Sequence, residues 1–265
     1  MKKRASKKCL LVYIALSSLL ALQCFASGAA DAQQELLVSA AASLTNSFGE
    51  VEKHFEATNP GVKVIFNFGA SGALLQQIDK GAPVDVFASA DQKTMDQAKE
   101  KGLILAETRT DFVSNGLVLI VPKDSKLAIK DVKDLAQAQV ARIALGNPEI
   151  VPAGRYTQEA LINAGLWESL KPKFIFAENV RQALDYVGRG EVDAGFVFST
   201  DAIIAKDKVQ VTATAEGHTP IRYPVAVVAG TKKRELAQRF IDFLLGSEGQ
   251  RVLSRFGFGK PRRAD

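Results

Sequence analysis

A chain of 265 residues with 47% hydrophobic content can hold one large domain or two of average size and is apolar enough to bury a core. Its 34 basic and 29 acidic residues give a formal charge of +5, but five of the bases and none of the acids fall in residues 1–30. Without that stretch the charges balance, which removes the electrostatic footprint expected of a nucleic-acid-binding protein.

The first 30 residues read as an export signal. "MKKRASKK" is a cationic start, "CLLVYIALSSLLAL" an apolar run of 14 residues, and "ASGAADA" a small-residue cleavage region with cutting expected after Ala30 or Ala32. An uncleaved anchor needs about 20 apolar residues. A lipoprotein signal at Cys24 is disfavoured by the bulky Gln23 before it. Cleavage removes Cys9 and Cys24 together, so the mature protein has no thiol and cannot form a disulfide. The expected location is the periplasm.

Beyond the signal, apolar runs of strand length alternate with stretches of helical spacing. The runs are "ELLVSA", "VKVIFNFG", "VDVFAS", "GLVLIVP", "ARIALG", "KFIFA", "AGFVF" and "YPVAVV". Leu44, Phe48, Val51 and Phe55 mark the first helix, and Phe48, Phe55, Phe240 and Phe243 are expected in the core. The pattern predicts an α/β protein with mostly parallel strands covered by helices. Two extended stretches, "FVSNGLVLIVPK" at 112–123 and "HTPIRYPVAVV" at 218–228, suit two crossings between lobes. The expected organisation is a signal at 1–30, one discontinuous lobe at 31–113 and 225–265, and a second lobe at 114–224. The basic tail "GKPRRAD" is expected to be a solvated end.

Ligands of open α/β sheets sit where strands hand over to helices. Four such junctions are rich in small residues: "AAASLTN", "FGASGALLQQI", "GNPEIVPAGRYTQEAL" and "AENVRQAL". Each ends at a helix start, where unpaired N–H groups suit an anion. Ser43 and Ser71 add hydroxyls, Gly69, Gly72 and Gly154 leave room for a ligand near the main chain, and Pro152 fixes a helix start. Taken one junction at a time, both serines could equally be plain N-caps, and spacing does not show that the junctions converge.

These stretches, together with "FGASGALLQQIDKGAPVDVFASADQKTMD", "AENVRQALDYVGRGEVDAGFVFSTDA" and "YPVAVVAG", resemble the periplasmic molybdate-binding proteins of ABC transporters, the ModA family. The resemblance runs in order from about Glu35 to Gly257. It implies a type II periplasmic-binding fold: two α/β lobes joined by two crossing segments, with the ligand in the cleft. The implied ligand is molybdate or tungstate, with another tetrahedral oxyanion such as sulfate as the alternative. It would be held by neutral donors and handed to the membrane permease of an importer. By motif, Ser43 and Ser71 would give hydroxyl and main-chain N–H donors, and Ala153 and Val180 main-chain N–H groups. Phe198 stands where the family usually has a Tyr that donates its hydroxyl, so this chain lacks that donor. No cofactor and no cation ligands are implied, molybdenum being bound only as its oxyanion, and the protein is expected to be a monomer.

Rival classes fare less well on the same residues. A serine hydrolase would pair Ser71 with His54 or His218, but "GASGA" is not the G-x-S-x-G elbow. Two distant histidines without a mature cysteine make no metal cluster. A transcriptional sensor would need a helix-turn-helix where the export signal stands. Asp91 and Asp201 read as helix caps, Asp85 as a strand-end residue, and Arg155 and Arg181 as solvent-facing or as lying behind the ligand positions.

Overall fold

The computed structural model describes residues 33–261. The expected signal at 1–30 and the last residues of the basic tail lie outside them.

Among the described residues, ten strands form two five-stranded sheets, each with helices packed against it. The first sheet has the order β2-β1-β3-β10-β4. Its strands are β1 (Gln34–Ala41), β2 (Val62–Gly69), β3 (Val86–Ala88), β4 (Thr110–Ser114) and β10 (Arg222–Val227). The second, β7-β6-β8-β5-β9, uses β5 (Leu117–Pro122), β6 (Ile143–Gly146), β7 (Phe174–Ala177), β8 (Ala194–Phe198) and β9 (Val209–Thr214). Helices α1 (Thr45–Thr58), α2 (Ser71–Asp79) and α3 (Gln92–Glu100) follow strands of the first sheet. Helices α4 (Pro152–Asn163), α5 (Trp167–Leu170), α6 (Val180–Gly188) and α7 (Ser199–Ile204) belong to the second, and α8 (Arg234–Leu245) and α9 (Ser247–Arg255) return to the first.

The strands are less uniformly parallel than expected. β1 pairs parallel with β3, and β6 pairs parallel with β7 and β8, with crossover connections between them as parallel pairing requires. By contrast, β10 runs antiparallel to β3 and β4, and β5 runs antiparallel to β8 and β9. The antiparallel members are the strands next to the crossings. A chain that leaves one sheet and enters another almost at once, at Asn115–Gly116, must run against the β-α-β direction on arrival.

The core follows from the periodicity. Ser47, Phe48, Val51 and Phe55 form the buried face of α1. Phe240 of α8 meets Phe48 and Phe55 edge-on, with ring centroids 6.0 and 5.2 Å apart, and Phe112 of β4 stands 6.1 Å from Phe48. Phe243 is only partly buried and packs on this cluster from its rim. The aromatic group ties α1 to the returning C-terminal helices, and so fixes the short turn before α1 that carries Ser43.

Phe48 is fully buried. Phe48→Ala should lower the stability of the ligand-free protein by about 3–5 kcal/mol through the cavity it leaves. Urea unfolding followed by circular dichroism checks this, with a shifted midpoint and an unchanged slope expected.

Candidate functional site

The five positions singled out from the sequence, Ser43, Ser71, Ala153, Val180 and Phe198, all line one small cavity between the sheets. Ala41, Ala42, Gly69, Ala70, Ala90, Val151, Pro152 and Asn179 complete its wall. Not one of these side chains carries a charge. The first sheet's elements supply Ser43 and Ser71, and the second sheet's supply Ala153, Val180 and Phe198.

Ser43 and Ser71 are not N-caps. Ser43 sits inside a short 3-10 turn, Ala42–Leu44, and the residue capping α1 is Leu44. Ser71 is the first residue of α2, behind Ala70. The Ala90 N–H donates to Ser71 Oγ at 3.0 Å, so that oxygen already accepts one protein hydrogen bond and its own hydrogen is left to donate elsewhere. No histidine is hydrogen-bonded to it. Ala90 belongs to a fifth junction, "FASADQ", which was not among the four singled out from the sequence.

Main-chain donors at the cavity follow from how the helices begin. Asn179 caps α6, and its side chain accepts from the N–H groups of Arg181 and Gln182 at 2.9 and 3.1 Å. The Val180 N–H is the one donor of that first turn that the cap leaves over. In α4, Pro152 has no N–H, which makes Ala153 the first donor of that helix. No acceptor among the described residues takes the N–H of Ser71, Ala153 or Val180. With α2, α4 and α6 all starting at this wall, the cavity combines directed donors with the positive ends of three helices.

The glycines serve packing rather than ligand approach, apart from Gly69 in the wall. A Cβ on Gly154 would lie 1.9 Å from the Gly146 carbonyl oxygen, so this glycine lets α4 close onto the end of β6. A Cβ on Gly72 would lie 2.7 Å from the carbonyl oxygen of Ile150, to which the Gly72 N–H donates at 3.0 Å. That contact joins the two lobes beside the cavity.

Arg155 and Arg181 also join the lobes. Arg155 Nε donates to Asp91 Oδ2 at 2.7 Å and Nη2 to Thr94 Oγ1 at 2.8 Å, while Asp91 caps α3 by accepting from the Thr94 N–H. Arg181 Nη1 donates to Asn46 Oδ1 at 2.7 Å and Nη2 to the Ser43 carbonyl at 3.1 Å. Its Nε donates to Asp201 Oδ1 at 2.5 Å, and Asp201 also accepts from the Phe198 N–H rather than capping α7 from the N-cap position. Burial pushes the Asp201 carboxyl above the ordinary aspartate range, and the Arg181 guanidinium pulls against it. Sequence reading missed both bridges because their partners are 64 and 135 residues away.

Phe198 is 1% exposed, with the Tyr223 ring 5.7 Å away and the Tyr156 ring 6.3 Å away. It offers the cavity an aromatic edge and no hydroxyl. Two larger grooves flank Arg155 and carry charges of both signs, Asp79, Glu100, Glu149 and Lys101 in one and Asp91, Glu159, Lys93 and Arg222 in the other, unlike the uncharged wall of the small cavity. Among the described residues no group of His, Cys, Asp and Glu side chains could hold a metal ion.

Known proteins with these features agree on the class. Residues 36–259 match the family described as bacterial extracellular solute-binding protein. The molybdate-binding protein ModA of Escherichia coli is 41% identical over 84% of this chain and 88% of its own length. The solved periplasmic molybdate-binding protein of Azotobacter vinelandii superposes with a TM-score of 0.77 at 26% identity, over 86% of this chain and all of the other. The sulfate-binding protein SubI of Mycobacterium tuberculosis reaches the same TM-score at 18% identity, over 87% of this chain and 88% of its own, a likeness of fold alone. With its two sheets, its neutral cavity between them and these relatives, the chain belongs to the bacterial extracellular solute-binding proteins and, among them, to the ModA family.

Proposed function

We propose that this protein is exported through a cleaved signal at residues 1–30, binds one molybdate or tungstate in the periplasm as a monomer, and delivers it to the permease of an ABC importer. The observation that carries this reading is the meeting of Ser43, Ser71, Ala153 and Val180 around one uncharged cavity at three helix starts. Our lobe assignment, 31–113 with 225–265 against 114–224, follows the passage of the chain between sheets near Asn115 and again just before Arg222, where β10 begins, so Arg222–Pro224 go with the first lobe.

The chemistry of capture follows from the donors. A buried dianion loses its hydration, and hydrogen bonds from N–H and O–H groups at helix starts offset that cost without a fixed counter-charge. Because donors come from both lobes, the anion completes the interface between them, and the Arg155 and Arg181 bridges and the Gly72 contact add to it. The absence of a lysine or arginine in the wall leaves release governed by lobe separation. A wall of donors disfavours hydrogen phosphate, whose proton would lack an acceptor. Sulfate differs from molybdate mainly in its smaller size and is the second anion to test.

Calorimetry of the refolded, anion-free mature protein should show one molybdate or tungstate per chain, no phosphate binding, and sulfate at least about ten-fold weaker, a difference of about 1.4 kcal/mol. Equal affinity for sulfate and molybdate would overturn the assignment.

Gly72→Ala places a methyl group against the Ile150 backbone only when the lobes meet. It should leave the urea stability of the anion-free protein unchanged or raised, by up to about 1 kcal/mol, while weakening molybdate binding at least about ten-fold. Unchanged affinity would show that capture does not need this approach.

Phe198→Tyr restores the hydroxyl usual in the family and should slow molybdate release, tightening binding by roughly 1–2 kcal/mol. Stopped-flow dissociation rates decide it. A rate equal to or faster than the parent's would mean that the oxygen meets no unserved acceptor.

A further inference from the structure

Behind Ser43, on the side away from the cavity, lies a buried polar chain that the anion reading does not use. Tyr223 of β10 is fully buried, and its Oη lies 2.9 Å from Ser43 Oγ and 3.2 Å from Asn115 Nδ2. Asn115 sits on the first crossing between lobes. Its Oδ1 accepts from the Gly116 N–H at 2.9 Å and from Ser199 Oγ at 2.8 Å, which fixes the orientation of its amide. Its two Nδ2 hydrogens then go to Thr200 Oγ1 at 2.9 Å and to Tyr223 Oη.

Counting hydrogens settles the rest of the chain. Tyr223 Oη accepts from Asn115, and Ser43 Oγ is the only other partner it has among the described residues. Were Ser43 the donor, the phenol hydrogen would be buried without an acceptor, at a cost typical of an unmade hydrogen bond. The phenol therefore donates to Ser43 Oγ, and the serine's own hydrogen turns to the cavity. Ser71 reaches the same state from the Ala90 N–H.

We infer that Tyr223 is a positioning residue: its hydroxyl fixes Ser43 as a hydrogen donor toward the bound oxyanion and so tunes the site to fully deprotonated anions. This rests on the anion reading of the cavity. Tyr223 does not line the cavity and does not replace the hydroxyl missing at Phe198 by contact; it acts through Ser43. Burial, and after it the Asp201 carboxylate, raises the phenol well above its ordinary range, which keeps it a neutral donor at physiological pH.

The test is a calorimetric cycle with molybdate and inorganic phosphate on the mature parent, Tyr223→Phe, Ser43→Ala and the double variant. Tyr223→Phe keeps the ring and should weaken molybdate about ten-fold, while the double variant binds no more weakly than Ser43→Ala alone. Phosphate, silent on the parent, should become detectable on Tyr223→Phe, since a freed Ser43 can accept the phosphate proton; general loosening of the fold would weaken molybdate and leave phosphate silent. A parent that binds no molybdate overturns the anion reading and the role of Tyr223 with it. A parent that binds while Tyr223→Phe matches it, or loses as much in the Ser43→Ala background as in the parent, overturns the role of Tyr223 alone.

Discussion

The first N–H groups of a helix have no acceptor inside that helix, and this fold aims three such deficits at one spot. Much else at the cavity can be traced to that. Most of the wall is alanine, glycine, valine and serine, small side chains that leave the donors uncovered. Proline at the start of α4 has no N–H to offer, and the asparagine cap of α6 takes up two, which leaves the Ala153 and Val180 N–H groups at the cavity without a protein acceptor among the described residues. Charge is kept one layer back, on Arg155 and Arg181, where it joins the lobes without neutralising the site.

Such an arrangement separates holding from closing. The donors at the cavity, proposed to hold the anion, are main chain or small hydroxyls, rigid and cheap to order, whereas the contacts joining the lobes are long side chains and one backbone contact at Gly72. Substitutions can therefore change how readily the lobes part without altering which anion fits. The likeness in fold to a sulfate-binding protein accords with this, because the scaffold is shared and selectivity falls to a few atoms at the wall.

How much of this was legible in the sequence depends on range. β2 and β8 fall on the very runs "VKVIFNFG" and "AGFVF", since continuous apolar strands are a local signal. β9, "VQVTAT", was missed because it is a sheet-edge strand that alternates apolar and polar residues and so lacks a continuous apolar run. The antiparallel crossings were not visible, since strand direction is set by where the chain must go next. Ser43 and Ser71 were found as small hydroxyls at helix starts, but local pattern could not separate a cap from a lining residue; the hydrogen bond from Ala90 and the contact with Tyr223, 180 residues away, make that distinction. Gly72 and Gly154 looked like room for a guest and are room for backbone.

The strand order of the first sheet has a consequence for the timing of assembly. β10 lies between β3 and β4, so that sheet is interrupted until residues 222–227 are available, whereas all five strands of the second sheet lie within residues 117–214. The second lobe can form from a contiguous stretch; the first has a gap in its middle that only the end of the chain fills. Contacts of such long sequence separation form late and slowly. This ordering keeps the N-terminal third of the newly made chain without a finished sheet until synthesis is almost over.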